Sequence, residues 1–390
     1  MQFRNITITF AIICSSITFF GQVDPSNSIS GGYITTAVPF LTVTPDSRAA
    51  GMGDLGVATS PDVNSSYWNP AKYPFHKDSK TGQDYNIGGG LAYNPWLRHL
   101  VPDMAVSYLS GYKRLKKEEV IYGSFKFFDL GSMTFRDDNG AVTTEHNPYE
   151  LALSFGYSRM LSKKIGASLG AKWIHSNLTG GVDVSQGGSV IQSQAGNSVA
   201  MDLGFFYQNP EVIISGRPAT LNIGATITDL GSKITYTNPD NAQFIPTKLR
   251  LGSALDMDID QYNKIMFSLE FSKLMVPSEG GSSDKALMEG IFGSFTDASF
   301  KREMQEIMIA LGAEYWYANA LAVRAGYFYE NPNIGSRRYI QLGLGLKYKD
   351  FGFDFAYLVP TDQNNPLQNT MRFSLTFDMV SKKVAEGIND

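Results

Sequence analysis

The sequence predicts an all-β fold, a transmembrane antiparallel β-barrel of about fourteen strands. Three observations carry this expectation. From about residue 85 onward, apolar residues alternate with small or polar ones at a period of two, as in strands with one greasy and one wet face. Most of these segments run well past the five or six residues usual in soluble proteins, matching the roughly nine to eleven that a tilted membrane-spanning strand needs. Their connections switch between long and short, the rhythm of outer-membrane barrels with long extracellular loops and short periplasmic turns.

Composition narrows the alternatives. The chain has 390 residues, with Lys+Arg 33 and Asp+Glu 37, a formal net charge of -4. Only 18% is charged, against about 25% in an ordinary soluble protein. Aromatics reach 13%, with 20 Tyr, 25 Phe and 38 Gly, which excludes a disordered chain. A faintly acidic balance argues against a nucleic-acid binder. The single cysteine, Cys14, excludes a disulfide framework and a Cys-based zinc site.

The first element is a targeting segment. Ile6 to Phe20 is an apolar run behind Arg4, long enough for a signal-peptide core and short for a spanning helix. Cleavage is placed near Gly21, so residues 1–21 are read as signal peptide. Bulky Ile13 before Cys14, and the run continuing past it, argue against a lipidated cysteine. No later stretch approaches a spanning helix, so a membrane protein here has to be a barrel.

Residues 22–84 do not alternate. They hold Gly, Ser, Asp and Pro clusters with short apolar pieces, a plug inside the lumen or a disordered leader, with the plug favoured. Gly51 and Gly53 sit in a small-residue stretch whose backbone can pack closely against a wall. Asn69-Pro70-Ala71 supplies a turn signal just before the first strand.

The strands follow near 85–94, 103–111, 119–130, 147–160, 164–177, 198–208, 219–229, 246–257, 262–274, 304–317, 319–330, 337–349, 350–359 and 370–379, giving a barrel over 85–379 and a periplasmic tail over 380–390. Ile340, Leu342, Leu344, Leu346 and Tyr348, for example, oppose Gln341, Gly343, Gly345, Lys347 and Lys349. A Lys or Arg on the lipid face costs roughly 2–4 kcal/mol at mid-membrane. The strand-interior charges Asp202, Arg250, Glu270, Glu314, Arg324, Asp354 and Arg372 all lie on the non-apolar face, which must therefore be the lumen. Their mixed signs suggest a paired, filled interior, a polar network that holds the plug in preference to a proton or substrate path. Tyr93, Trp96, Trp173, Tyr207, Trp316, Tyr317 and Tyr348 cluster near strand ends and are read as an aromatic girdle.

Catalytic motifs are weak. Gly166-Ala167-Ser168-Leu169-Gly170 matches the nucleophile-elbow pattern but falls inside an alternating strand, where no strand-to-helix turn is possible. His76, His99, His146 and His175 are scattered without metal-ligand spacing, and Gly343-Leu344-Gly345 opens no helix. No catalytic residue, metal or cofactor is assigned.

The longest loop, about 275–303, starts as a flexible Gly/Ser linker. Leu287, Ile291 and Phe295 follow at i, i+4 and i+8, with Met288 and Phe292 beside them: one apolar stripe on a short helix capped by Asp284. Gly290 and Gly293 weaken such a helix by roughly 1 kcal/mol each. The stripe either folds over the barrel mouth or docks into another protein.

The stretch PFLTVTPDSRAAGMGDLGVATSPDVNSSYWNPAKYPF, Pro39 to Phe75, resembles the N-terminal signature of the PorV proteins of the type IX secretion system, within the wider FadL-like barrels. Gly51, Gly53 and the Asn69-Pro70-Ala71 triplet resemble the hatch region of that superfamily. FadL-like barrels often end on a terminal aromatic; here Met371, Phe373, Leu375 and Phe377 are followed by a polar tail to Asp390. The resemblance implies a non-enzymatic outer-membrane component of type IX secretion. Its implied partners are the SprA/Sov-type translocon, the C-terminal signal domains of cargo and the PorU-containing attachment complex, in a surround of membrane lipid and lipopolysaccharide and without nucleic acid. Under it the extracellular loops are the working surface. The alternative is a FadL-like transporter of hydrophobic small molecules.

Overall fold

The computed structural model describes residues 34–380 apart from 79–80, 98–102, 137–141, 179, 181–183, 187–188, 192, 238–240, 279–284, 362–366 and 369. The targeting segment with Cys14, the tail beyond 380, His99, linker residues 279–283 and Asp284 lie outside the described residues.

Alternation becomes architecture directly. Fourteen strands form one closed antiparallel barrel. They are β1 (Tyr85–Pro95), β2 (Ala105–Lys116), β3 (Glu119–Asp129), β4 (Tyr149–Ser162), β5 (Ile165–Asn177), β6 (Gly196–Ile214), β7 (Arg217–Gly231), β8 (Lys248–Asp258), β9 (Asn263–Leu274), β10 (Met308–Tyr317), β11 (Leu321–Tyr329), β12 (Arg338–Tyr348), β13 (Phe351–Pro360) and β14 (Met371–Val380). Each pairs with its neighbour in the chain, and β14 returns to β1 with Leu375 opposite Leu91. Closure leaves no strand edge unpaired, which a hydrocarbon surround requires. Among the described residues no helix is long and apolar enough to cross a membrane.

Register makes the outer face continuous. Leu109, Leu91, Leu375, Phe353 and Leu346 stand opposite one another across five successive strands. All five are exposed, Leu346 at 57%. Their chain neighbours point inward. There the seven predicted lumen charges are buried, none above 9% exposure.

The long and short connections fall at opposite ends. The turns 117–118, 163–164, 215–216 and 349–350 are two-residue hairpins. Ser215 (φ 51°) and Gly216 (φ 78°) both take the left-handed conformation that a tight hairpin turn uses. Two small hairpins, Met133–Arg136 with Val142–His146 and Val184–Gln186 with Ser189–Ile191, stand apart from the barrel sheet within long loops.

Four expectations are corrected. The segment expected over 304–317 starts as a strand only at Met308, because Ser299 caps a helix over Phe300–Gln305 by accepting from the Arg302 N–H. The turn expected after residue 208 is strand: β6 continues to Ile214, and Pro210 sits where the register shifts between Asn209 and Val212, a bulge that needs no N–H from proline. The last strand reaches Val380, opposite Tyr85, one residue into the expected tail. Trp96 and Trp316 leave the girdle for the interior. Trp316 shares parity with Glu314 and lies over the Arg324 guanidinium at 5.5 Å; Trp96 lies over Arg372 at 5.9 Å.

Candidate functional site: the lined lumen and the outer loop

Residues 34–78 lie against the inward face of the wall. This segment holds α1 (Ser47–Ala50), α2 (Ser65–Trp68) and two 3-10 turns, Pro39–Thr42 and Pro70–Phe75. Helices this short do not stand alone. Asp46 begins α1, accepting from the Ala49 N–H at 2.9 Å and from the Trp68 indole N–H at 2.7 Å. Burial pushes its carboxyl up to about 6, with repulsion from Asp62 adding to the shift. Asn69 starts the second turn: its amide donates to the carbonyls of Val57 and of Phe205 on β6, both at 2.9 Å, and its Oδ1 accepts from the Ala71 N–H. Pro70 fills the first position of that turn, where an N–H is not needed. The wholly buried Lys72 donates to the Gly56 carbonyl at 2.7 Å, and burial pushes its ammonium down to about 8.

Charge fastens the segment to the wall. Arg48 grips Glu314 with Nε at 3.0 Å and Nη2 at 2.7 Å, and reaches Asp62 at 2.8 Å. Arg324 donates to the same Glu314 and to Asp354, each at 2.6 Å. Glu270 accepts the Gly56 and Val57 N–H groups at 2.8 and 2.9 Å. Its other oxygen stands 3.7 Å from Arg250, and Arg372 donates to Asp54 at 2.7 Å. Asp202 and Asp229 share Lys172. The seven predicted lumen residues are thus all brought into ion pairs. Their partners on the segment are Arg48 and Asp54, with Asp62 backing Arg48; none of these three is assigned a pairing from the sequence, and a charge inside a small-residue stretch is the signal available for them.

Backbone contact completes the fastening. Gly53 takes φ 87°, and a Cβ there would meet the Tyr327 amide nitrogen at 2.8 Å. A Cβ on Gly51 would meet the Cα of Gly343 on β12 at 2.8 Å. Only backbone against backbone fits here.

The outer loop between β9 and β10 is built differently. It carries α3 (Leu287–Gly293) and α4 (Phe300–Gln305). Helix α3 begins at Ala286 without a side-chain cap, correcting the cap expected from Asp284, and it stops before Phe295. The predicted stripe is divided. Ile291 is wholly buried with Phe244, Met275 and Val276, and Leu287 packs at the edge of that cluster. Gly290 allows this, since a Cβ there would collide with the Phe244 ring. Met288, Phe292 and Phe295 face outward, joined by Phe300 at 82% exposure and Met304. Lys273 on β9 anchors the far side through Glu303 at 2.9 Å and through Glu306. Phe295, Phe300 and Met304 border a groove of about 530 Å³ against Leu251 and Phe271 of the outer wall.

Ser168 lies within β5 opposite Gly204, with no turn into a helix. His76 pairs with Asp378 at 3.0 Å and His175 with Asn197 at 2.9 Å, and no group of three possible metal ligands occurs among the described residues.

A closed fourteen-strand cylinder, apolar outside and charged within, defines an outer-membrane barrel protein. The chain belongs to the PorV family: the model described as type IX secretion system protein PorV matches residues 27–280, more than half of its length. It is an outer-membrane component of type IX secretion. No curated protein matches. Among solved structures, the Pseudomonas putida toluene transporter TodX aligns at 14% identity and TM-score 0.47, covering 87% of this chain and 100% of that one. The Ralstonia pickettii toluene transporter TbuX aligns at 14% identity and TM-score 0.49, covering 87% and 98%. A Pseudomonas aeruginosa FadL homologue aligns at 12% identity and TM-score 0.41, covering 89% and 99%.

Proposed function

We propose that the barrel is a rigid carrier whose outer loop binds the SprA/Sov-type translocon and the C-terminal signal domains of cargo, and that it passes cargo to the PorU-containing attachment complex. Residues 34–78 serve as a plug that seals the lumen while the outside does the work. One observation carries this reading. Met288, Phe292, Phe295, Phe300 and Met304 expose a cluster of flexible and aromatic side chains, Phe292 at 61%, on a loop held from beneath by Ile291 and Lys273. A tethered apolar surface of this kind is suited to a protein partner.

The test is the double substitution Met288→Asp, Phe292→Asp. Both side chains point away from the barrel, so assembly and heat-modifiable migration should be unchanged. Co-purification with the translocon from detergent-solubilised outer membrane should fall at least tenfold, and unprocessed cargo should accumulate in the periplasm. Undiminished co-purification would remove the loop from the interface.

A further inference from the structure

We infer that α4 lies over the lipid side of the barrel, and that the groove beneath it holds an acyl chain of an outer-leaflet lipid. The inference concerns the α4 side of the outer loop only. Met288 and Phe292, on which the partner test rests, do not line this groove.

Strand parity places the helix. Successive side chains of a strand point to opposite faces. On β9, Phe267 and Phe271 face outward at 49% and 42% exposure, whereas Glu270 faces the lumen and meets the inner segment. Lys273 has the parity of Phe271, and it stands opposite Leu249 as Phe271 stands opposite Leu251. Its position therefore aims the ammonium out of the barrel, one residue from the outer end of β9. A bare lysine on that face is costly in hydrocarbon, less so toward the interface. Lys273 is nevertheless 6% exposed, because Glu303 of α4 accepts from it at 2.9 Å and Glu306, at the end of α4, accepts as well. The pair neutralises an outward lysine and holds α4 down on the outer wall, beyond the rim of the barrel mouth.

The groove of about 530 Å³ runs between that wall and the loop. Leu249, Leu251 and Phe271 form one side, all at outward positions of β8 and β9. Phe295, Phe300 and Met304 form the other, with Phe300 and Met304 at i and i+4 on one face of α4. The charges at its base leave no surplus: Lys273 and Arg302 face Glu303 and Glu306, two cations with two carboxylates. The Thr296 hydroxyl donates to the Gly293 carbonyl at 3.4 Å. An ionic ligand finds no unmatched charge here, and the surface on offer is apolar.

Continuity decides the occupant. Leu251 and Phe271 belong to the outer face that hydrocarbon covers, and the groove opens onto that face without a polar barrier. An acyl chain enters it sideways and never leaves the leaflet. Phe300, at 82% exposure, and Met304 then meet lipid instead of water. An apolar helix face set at the boundary of head groups and chains, with its polar face outward, is the arrangement of an interfacial helix. The loop is thereby divided: α4 rests on lipid, and the outward side of α3 is left to a protein partner.

The experiment puts the full chain, without any partner, into bilayers of phosphatidylcholine brominated on its acyl chains, which quench tryptophan on contact. Three single variants are compared with the wild type: Leu251→Trp on the outer wall, Phe300→Trp in the groove and Met288→Trp on α3. The added fluorescence of Phe300→Trp should be quenched about as strongly as that of Leu251→Trp and at least threefold more than that of Met288→Trp. If Phe300→Trp is quenched no more than Met288→Trp while Leu251→Trp is quenched, α4 does not lie on lipid and the inference fails. Mass spectrometry of barrels released gently from the same bilayers should show a retained phospholipid, reduced at least fivefold by Phe300→Asp with Met304→Asp. No retained lipid on the wild type, or equal retention by the assembled double variant, would overturn the groove. The quenching comparison needs no charged substitution and stands even if the double variant fails to assemble. No translocon is present in either measurement, so a failure here is separate from a failure of the partner reading.

Discussion

Helices α1 and α4 interrupt the strand pattern in the same way, with one short turn of helix set among loops. All four residues of α1 are buried, whereas none of the six in α4 is. Both depend on tertiary anchors, because neither is long enough to be stable by itself. Helix α1 is clamped from its own side chains outward, Asp46 to Trp68 and Arg48 to Glu314. Helix α4 is held from below by Lys273, so its apolar side chains Phe300 and Met304 remain outside. The contrast separates two jobs. Charge and glycine fix the inner segment to the wall, while the outer loop has its charges at the base and its apolar surface exposed.

The largest effect should come from the inner clamp. Glu314→Ala leaves Arg48 and Arg324 buried beside each other without their shared carboxylate, and removing one partner of a buried pair costs about 3–5 kcal/mol. Thermal melting of the barrel in detergent should drop accordingly, and residues 34–78 should become open to protease. An unshifted melting curve would mean that the inner segment is not held by charge. A smaller effect is expected outside. Ile291→Ala removes the buried foot of α3, a change worth about 2 kcal/mol or more in a packed core. It should raise hydrogen exchange across 285–307 and leave the barrel transition in place. Loss of barrel stability would erase the distinction between the two regions.

The barrel was legible because a period of two encodes which way a side chain points. Residue type at strand ends is the weaker guide: it assigns Trp96 and Trp316 to the girdle, whereas parity with Glu314, the partner of Arg324, points Trp316 inward. Pairing is harder to read than facing. Arg48 and Glu314 are separated by 266 positions, and alternation carries no information about which inner segment residue meets which strand. Asn209-Pro210 reads locally as a turn, yet a bulge absorbs it and β6 runs on. In the loop, spacing identified the apolar stripe but not its division, since Ile291 turns inward only because Phe244, 47 positions earlier in the chain, offers it a site.

The finest test of the contrast is a pair of glycines three residues apart. On an isolated helix, Gly→Ala is worth up to about 1 kcal/mol in favour of the helix at either position. At Gly290 that gain is opposed by the Phe244 ring, which a Cβ would strike, and overpacking costs about 1–3 kcal/mol. At Gly293 no atom lies within 4 Å of the added Cβ and the backbone is not left-handed, so the gain stands unopposed. Gly290→Ala should therefore loosen the loop and Gly293→Ala should tighten it by about 0.5 kcal/mol, read as opposite changes in amide exchange over 287–293. If both substitutions tighten the loop, α3 does not rest on Phe244, and the exposed apolar surface is not presented by a fixed support.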